Sequence, residues 1–258
     1  MLNHKRGCKM SDFSVKVLTV EEHVYRNYML LSHLETIGFP VMDMMVEGDL
    51  KFYNGFYYKN FASNADLLKT LVSEGCSGFE RILSHTPNDE PPNVFMAVEG
   101  GIMRIIEKVV DENRTSLILE SDACFKDVDY DGIVEQWKIL VDLEGYENIK
   151  VAQLTHGIPL TGLKEADPIT DFWSKGVIGN GQVANFYTPH GAQYLLDRGE
   201  YQPTVENWLV DYNETPGLYT VTKSCWMRNT FSNFVYTANP NKDYGLDYLH
   251  EIAKGEPL

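Results

Sequence analysis

The stretch "EGGIMRIIEKVVDENRTSLILESDACF", residues 99 to 125, decides the fold. Ile102, Ile105, Ile106, Val109 and Val110 recur at helical spacing and give this segment one apolar stripe. "LILE" (117–120) then reads as a short buried strand, because it is a brief continuous apolar run. Glu120 and Asp122 follow at once, separated by Ser121. A helix leading into a strand that ends in acid-x-acid delivers two carboxylates to the carboxyl edge of a sheet. That edge is where open α/β sheets bind ligands.

Upstream the same grammar recurs. "FSVKVLTV" (13–20) alternates Phe13, Val15 and Val17 against polar positions and predicts a first strand. A helix follows, with Val24, Tyr28, Leu31, Leu34 and Ile37 spaced by three and four on one face. Gly38 and Pro40 end it. "FPVMDMMV" reads as a second strand, which completes a strand–helix–strand opening. "KFYNGFYYKNF" is broken by Asn54-Gly55 and predicts a turn or hairpin. "NADLLKTLVSEG" is a helix with Asn64 as its cap and Gly75 as its stop. Downstream, "NIKVAQL" (148–154) and "LYTVT" read as strands, while "HGAQYLLDRG" and "TVENWLVDYN" read as helices. The expectation is one α/β domain with a less regular C-terminal half. Residues 1–12 are expected to form a flexible N-terminal extension.

Composition narrows the class. The chain has 258 residues, 43% apolar and 23% charged, as in a soluble globular protein. It contains no apolar run of about 18 or more residues, the length that predicts a membrane span. Cys8, Cys76, Cys124 and Cys225 are scattered without a CxxC pair, which disfavours a zinc site or disulfide framework and suits a reducing cytoplasm. The net charge of −15 repels polyanions and disfavours a broad nucleic-acid footprint.

A second acidic cluster, Asp127-Val128-Asp129-Tyr130-Asp131-Gly132, resembles the start of an EF-hand loop. Asp127, Asp129, Asp131, Gly132 and Glu135 fall at positions 1, 3, 5, 6 and 9. Position 12, which should supply a bidentate carboxylate, is Lys138. The cluster therefore reads as an acidic turn before a helix, with Asp131 near the helix N-terminus.

Six segments in order resemble glycosyltransferase family 25, the glycosyltransferases of lipopolysaccharide and collagen modification. They are "VKVLTV" with Arg26 in the following helix, "ETIGFPVMDMMVEGD", "EGGIMRIIEKVVDENRTSLILESDACF", "VAQLTHG", "NFYTPHGAQYLLDRG" and "PTVENWLVDY". Residues 117–125 and 186–196 are the most specific, and the resemblance spans roughly 13–230. Ser121 stands where the family has the middle acid of Glu-Asp-Asp, and Glu206 stands where it has Asp. The Gly-Cys-x-x-Ser-His signature of the helix at 101–110 is missing, which leaves the acceptor open.

The resemblance implies a GT-A-like, Rossmann-type mixed sheet flanked by helices. Residues 13–155 would form the nucleotide-sugar half and 156–258 the acceptor half. It implies a metal-dependent, inverting glycosyltransferase that uses a nucleotide sugar, with UDP favoured. Asp122 and Glu120 would hold Mn²⁺ or Mg²⁺ in the manner of a DxD motif. Thr19, Arg26, His156 and Arg228 would join them around the donor. Arg26 has an equal alternative reading as part of a solvated helix face. Trp226 beside Arg228 is either a stacking residue or core. Glu206 would be the general base, with Asp211 about one turn further on as its competitor. His190, just before a helix, is a weaker candidate. The acceptor is a glycan or, alternatively, a hydroxymethylated base in phage DNA, provided Lys51, Lys59, Lys69, Arg81 and Arg104 cluster. A non-catalytic carbohydrate- or calcium-binding module is the remaining alternative. The expected setting is the cytoplasm of a bacterium, or of a host cell if the protein is phage-encoded.

Overall fold

A computed structural model describes residues 13–76, 79, 91–123, 125, 128–154, 167–176, 184–197 and 217–221. The first strand, β1 (Ser14–Thr19), is buried along its whole length. It pairs in parallel with β2 (Leu50–Asn54) on one side and β3 (Ser116–Glu120) on the other. Side chains alternate across both faces. Val15, Val17, Leu117 and Leu119 enter one core, while Leu18 and Ile118 enter the other. This two-sided burial explains the continuous apolar run of β3, whereas β1 also buries Ser14 and Lys16 on its second face.

The first core is covered by α1 (Val24–Thr36), α2 (Val41–Glu47) and α5 (Tyr130–Glu144). The second is covered by α3 (Asn64–Ser73), α4 (Val94–Glu112) and α6 (Pro189–Asp197). The result is an α/β/α layering around one eight-stranded mixed sheet. Its other strands are β4 (Val151–Gln153), β5 (Asp167–Pro168), β6 (Trp173–Lys175), β7 (Ala184–Tyr187) and β8 (Leu218–Val221). The order is β2-β1-β3-β7-β4-β8-β6-β5. β7 runs antiparallel between β3 and β4, and β8 is parallel to β4. β1, β2, β3, β4 and β8 therefore present their carboxyl ends to one edge. The chain crosses from β1 outward to β2 and then back past β1 to β3, so the strand order reverses between β1 and β3.

The structure corrects several expectations. "FPVMDMMV" forms the helix α2, not a strand. Pro40 suits the start of a helix, and Val41 and Met44, three apart, bury one face. The second strand is instead Leu50–Asn54, which ends at the expected turn and leads into a short helical turn at Tyr58–Asn60 rather than back along a hairpin. Gly55 ends it by close approach. Its N–H donates to the Thr19 carbonyl at 2.6 Å, and a Cβ on Gly55 would stand 3.2 Å from that oxygen. On α1 the buried residues are Met29, Leu30, His33 and Leu34, whereas Val24 and Tyr28 face solvent. Ser63, not Asn64, caps α3 by accepting the Asp66 N–H at 3.2 Å. Asn64 Oδ1 instead accepts the Asn93 N–H at 2.7 Å, just ahead of α4. The apolar stripe of α4 is buried as expected, but the helix starts earlier, at Val94.

Candidate functional site

The site grows from β3. Leu117, Ile118 and Leu119 are locked in the core and carry Glu120 out to the carboxyl edge. The chain then turns, with the Ala123 N–H donating to the Glu120 carbonyl at 2.9 Å. Ser121, Ala123 and Phe125 are buried, so this turn is packed against the fold.

Asp122 is unusual in this setting. Its side chain is 10% exposed, and its Oδ2 lies 3.8 Å from Arg26 Nη1 on α1. That separation is an ion pair but too long for a hydrogen bond. The other oxygen, Oδ1, is buried and has no hydrogen-bond partner among the described residues. Burial pushes the Asp122 carboxyl above the usual carboxylate range, and the Arg26 guanidinium opposes that shift only in part. With Arg26 its one cationic neighbour among the described residues, the buried carboxylate is under-compensated. A hard divalent cation with oxygen preference fits the orphaned oxygen. Among the described residues, no three His, Cys, Asp or Glu side chains form a group that would hold a metal by themselves. Asp122 and Glu120 would thus supply only part of a coordination shell.

α1 follows the acidic turn at three points. Arg26 faces Asp122, His33 Nε2 accepts the Phe125 N–H at 2.9 Å, and the Ile37 carbonyl accepts the Tyr130 N–H at 2.8 Å. Burial lowers the His33 pKa, which keeps the ring neutral and able to accept.

At the end of β1, Thr19 Oγ1 donates to Asn27 Oδ1 at 2.5 Å, tying the strand to α1. Beyond it, His23 packs edge-on to Tyr57, with ring centroids 5.5 Å apart. Burial, with Arg26 nearby, lowers the His23 pKa to about 4. Lys59 lies over the rings of Tyr57 and Tyr58. The edge formed by β1, β2 and β3 therefore carries the two carboxylates, the Arg26 guanidinium and a half-buried aromatic rim.

Of the residues expected from sequence, Thr19, Arg26, Glu120 and Asp122 come to this one edge. His156, Glu206, Asp211, Trp226 and Arg228 lie outside the described residues. His190 belongs to the opposite edge. It sits in the first turn of α6, beside Tyr146 and 3.3 Å from Thr188 Oγ1. From Asp129 onward the EF-hand-like cluster is a helix start; Asp127 lies outside the described residues. Asp129 caps α5 by accepting the Gly132 N–H at 2.8 Å, and Glu135 and Lys138 are already helical. The helix already begins at Tyr130, position 4 of the loop, so this segment does not form the 12-residue calcium loop. Sequence reasoning passed over His23, Asn27 and His33. The seven-residue spacing of Arg26 and His33, which sets both on one helix face, was the available signal.

No protein-family model matches the chain, and no curated protein matches it significantly. Among the described residues, no helix is long and apolar enough to cross a membrane.

Proposed function

We propose that this edge is the donor site of a metal-dependent glycosyltransferase that moves a sugar from a nucleotide sugar to an acceptor hydroxyl. The observation that carries the reading is the buried, under-compensated carboxylate of Asp122, opposite Arg26, where the strand order reverses. Open α/β sheets bind nucleotides at such a reversal. Arg26 would offer its guanidinium to a phosphate oxygen, and Tyr57 and Tyr58 would offer ring faces to a base. Asp122 and Glu120 would hold Mn²⁺ or Mg²⁺, which when bound neutralises the charge developing on the diphosphate leaving group.

In the inverting reaction the acceptor oxygen bonds to the anomeric carbon as the bond to the diphosphate breaks. The acceptor proton passes to a carboxylate, Glu206 in this reading or Asp211 as its competitor. A glycan acceptor is favoured over a DNA base. Lys51 is paired with Glu112, and Arg104 stacks on Phe56, so these cations do not stand free to line a phosphate groove.

Calorimetry tests the proposal. UDP is expected to bind in the presence of Mn²⁺, and Asp122→Ala is expected to abolish that binding. A screen of nucleotide sugars for slow hydrolysis would identify the donor. Calcium binding that survives Asp122→Ala but is lost in Asp129→Ala would refute the reading.

A further inference from the structure

We infer that His33 is a positioning residue for the acidic turn: its imidazole holds the Phe125 backbone and thereby fixes where Asp122 presents its carboxylate. This rests on the reading of Asp122 as a metal-side carboxylate. The geometry is direct. His33 is 6% exposed, and its Nε2 accepts the Phe125 N–H at 2.9 Å. Its ring lies parallel to that of Phe125, with centroids 6.3 Å apart. Phe125 also stacks on Phe39, so the residue is held by backbone and ring together.

Asp122 lies three residues before this anchor and two after Glu120, whose carbonyl closes the turn through Ala123. The turn is therefore pinned on both sides of Asp122. Arg26 projects from the same face of α1, seven residues before His33. One rigid helix thus sets both the counter-charge and the backbone of the turn. Packing alone would accept leucine at position 33. A buried imidazole costs desolvation, and the buried Phe125 N–H gives it a use. Because burial keeps the ring neutral, the Nε2 lone pair stays available.

The full chain is compared as wild type, His33→Gln and His33→Phe. Gln keeps an acceptor at the reach of Nε2, whereas Phe keeps the ring and removes the acceptor. Mn²⁺ binding with saturating UDP is read from loss of the free-ion EPR signal, and amide exchange is followed at Phe125. His33→Phe is expected to weaken Mn²⁺ binding by about tenfold or more and to speed exchange at Phe125, the consequence of an unsatisfied buried donor. His33→Gln is expected to stay within about threefold of wild type. If His33→Phe does not fold, His33→Asn, polar but too short to reach, takes its place in the same comparison. Equal Mn²⁺ affinity in all folded variants, or equal weakening by Gln and Phe, overturns the positioning role while wild-type binding upholds the metal site. Failure of the wild type to bind Mn²⁺ overturns the site reading and this inference with it.

Discussion

Asp122→Asn is expected to stabilise the protein in the absence of metal, although it should abolish metal binding. The carboxylate is stabilised by Arg26, at 3.8 Å, and more weakly by its own backbone N–H. At an effective dielectric of about 20 the Arg26 attraction is about 4 kcal/mol. Arg26 is 32% exposed, and solvent screening reduces the attraction to about 2 kcal/mol. Against it stand a desolvation cost of several kcal/mol and a penalty of about 1–3 kcal/mol for the unbonded Oδ1. The amide keeps the shape and an unbonded polar atom but removes the charge, so only the desolvation of the charge is relieved and a net gain of about 1 kcal/mol follows. Guanidinium unfolding in EDTA reads it as a higher midpoint at unchanged slope. Added Mn²⁺ with UDP should then raise the midpoint of the wild type but not of the variant. A loss of about 1 kcal/mol or more in Asp122→Asn would refute the reasoning, because the carboxylate would then be a structural partner of Arg26.

Three further outcomes follow from the same structure. Gly191→Ala should cost about 2 kcal/mol or more despite the helix preference of alanine, because its Cβ would stand 2.1 Å from the Lys150 carbonyl oxygen and force α6 away from β4; a thermal melt checks this. Glu112→Ala should cost about 3 kcal/mol, because it leaves the Lys16 ammonium, whose side chain is 1% exposed, with Tyr53 in place of a carboxylate counter-charge. The double variant Lys16→Met with Glu112→Ala should recover most of that loss in the same denaturation assay. Acid should weaken the fold through His33. Burial holds its pKa below the ordinary 6.5, so the unfolded chain binds the proton first. This contribution is whole above pH 6.5 and is lost as pH falls through the folded pKa. Unfolding midpoints at about pH 7.5 and about pH 5 should differ less in His33→Gln than in wild type.

What could be read locally was read well. β1, β3 and the stripe of α4 declare themselves through short-range periodicity, and so do the carboxylates that end β3. The EF-hand-like cluster reads as an acidic turn before a helix because of Lys138, and α5 does begin there, at Tyr130. The strand expected at "FPVMDMMV" is a helix instead. Short apolar runs suit either state, and the choice depended on which strand β1 found as its neighbour.

The sequence by itself determined an α/β chain whose third strand ends in acid-x-acid, because helix and strand periods are written in neighbouring residues. Only the tertiary structure decided that β7 enters antiparallel between β3 and β4, and that Lys16 meets Glu112 across 96 positions. It also decided that Asp122 is buried opposite Arg26 and that His33 reaches the Phe125 backbone 92 residues away. Such pairings are set by how the layers close over the sheet, and local spacing carries no record of them.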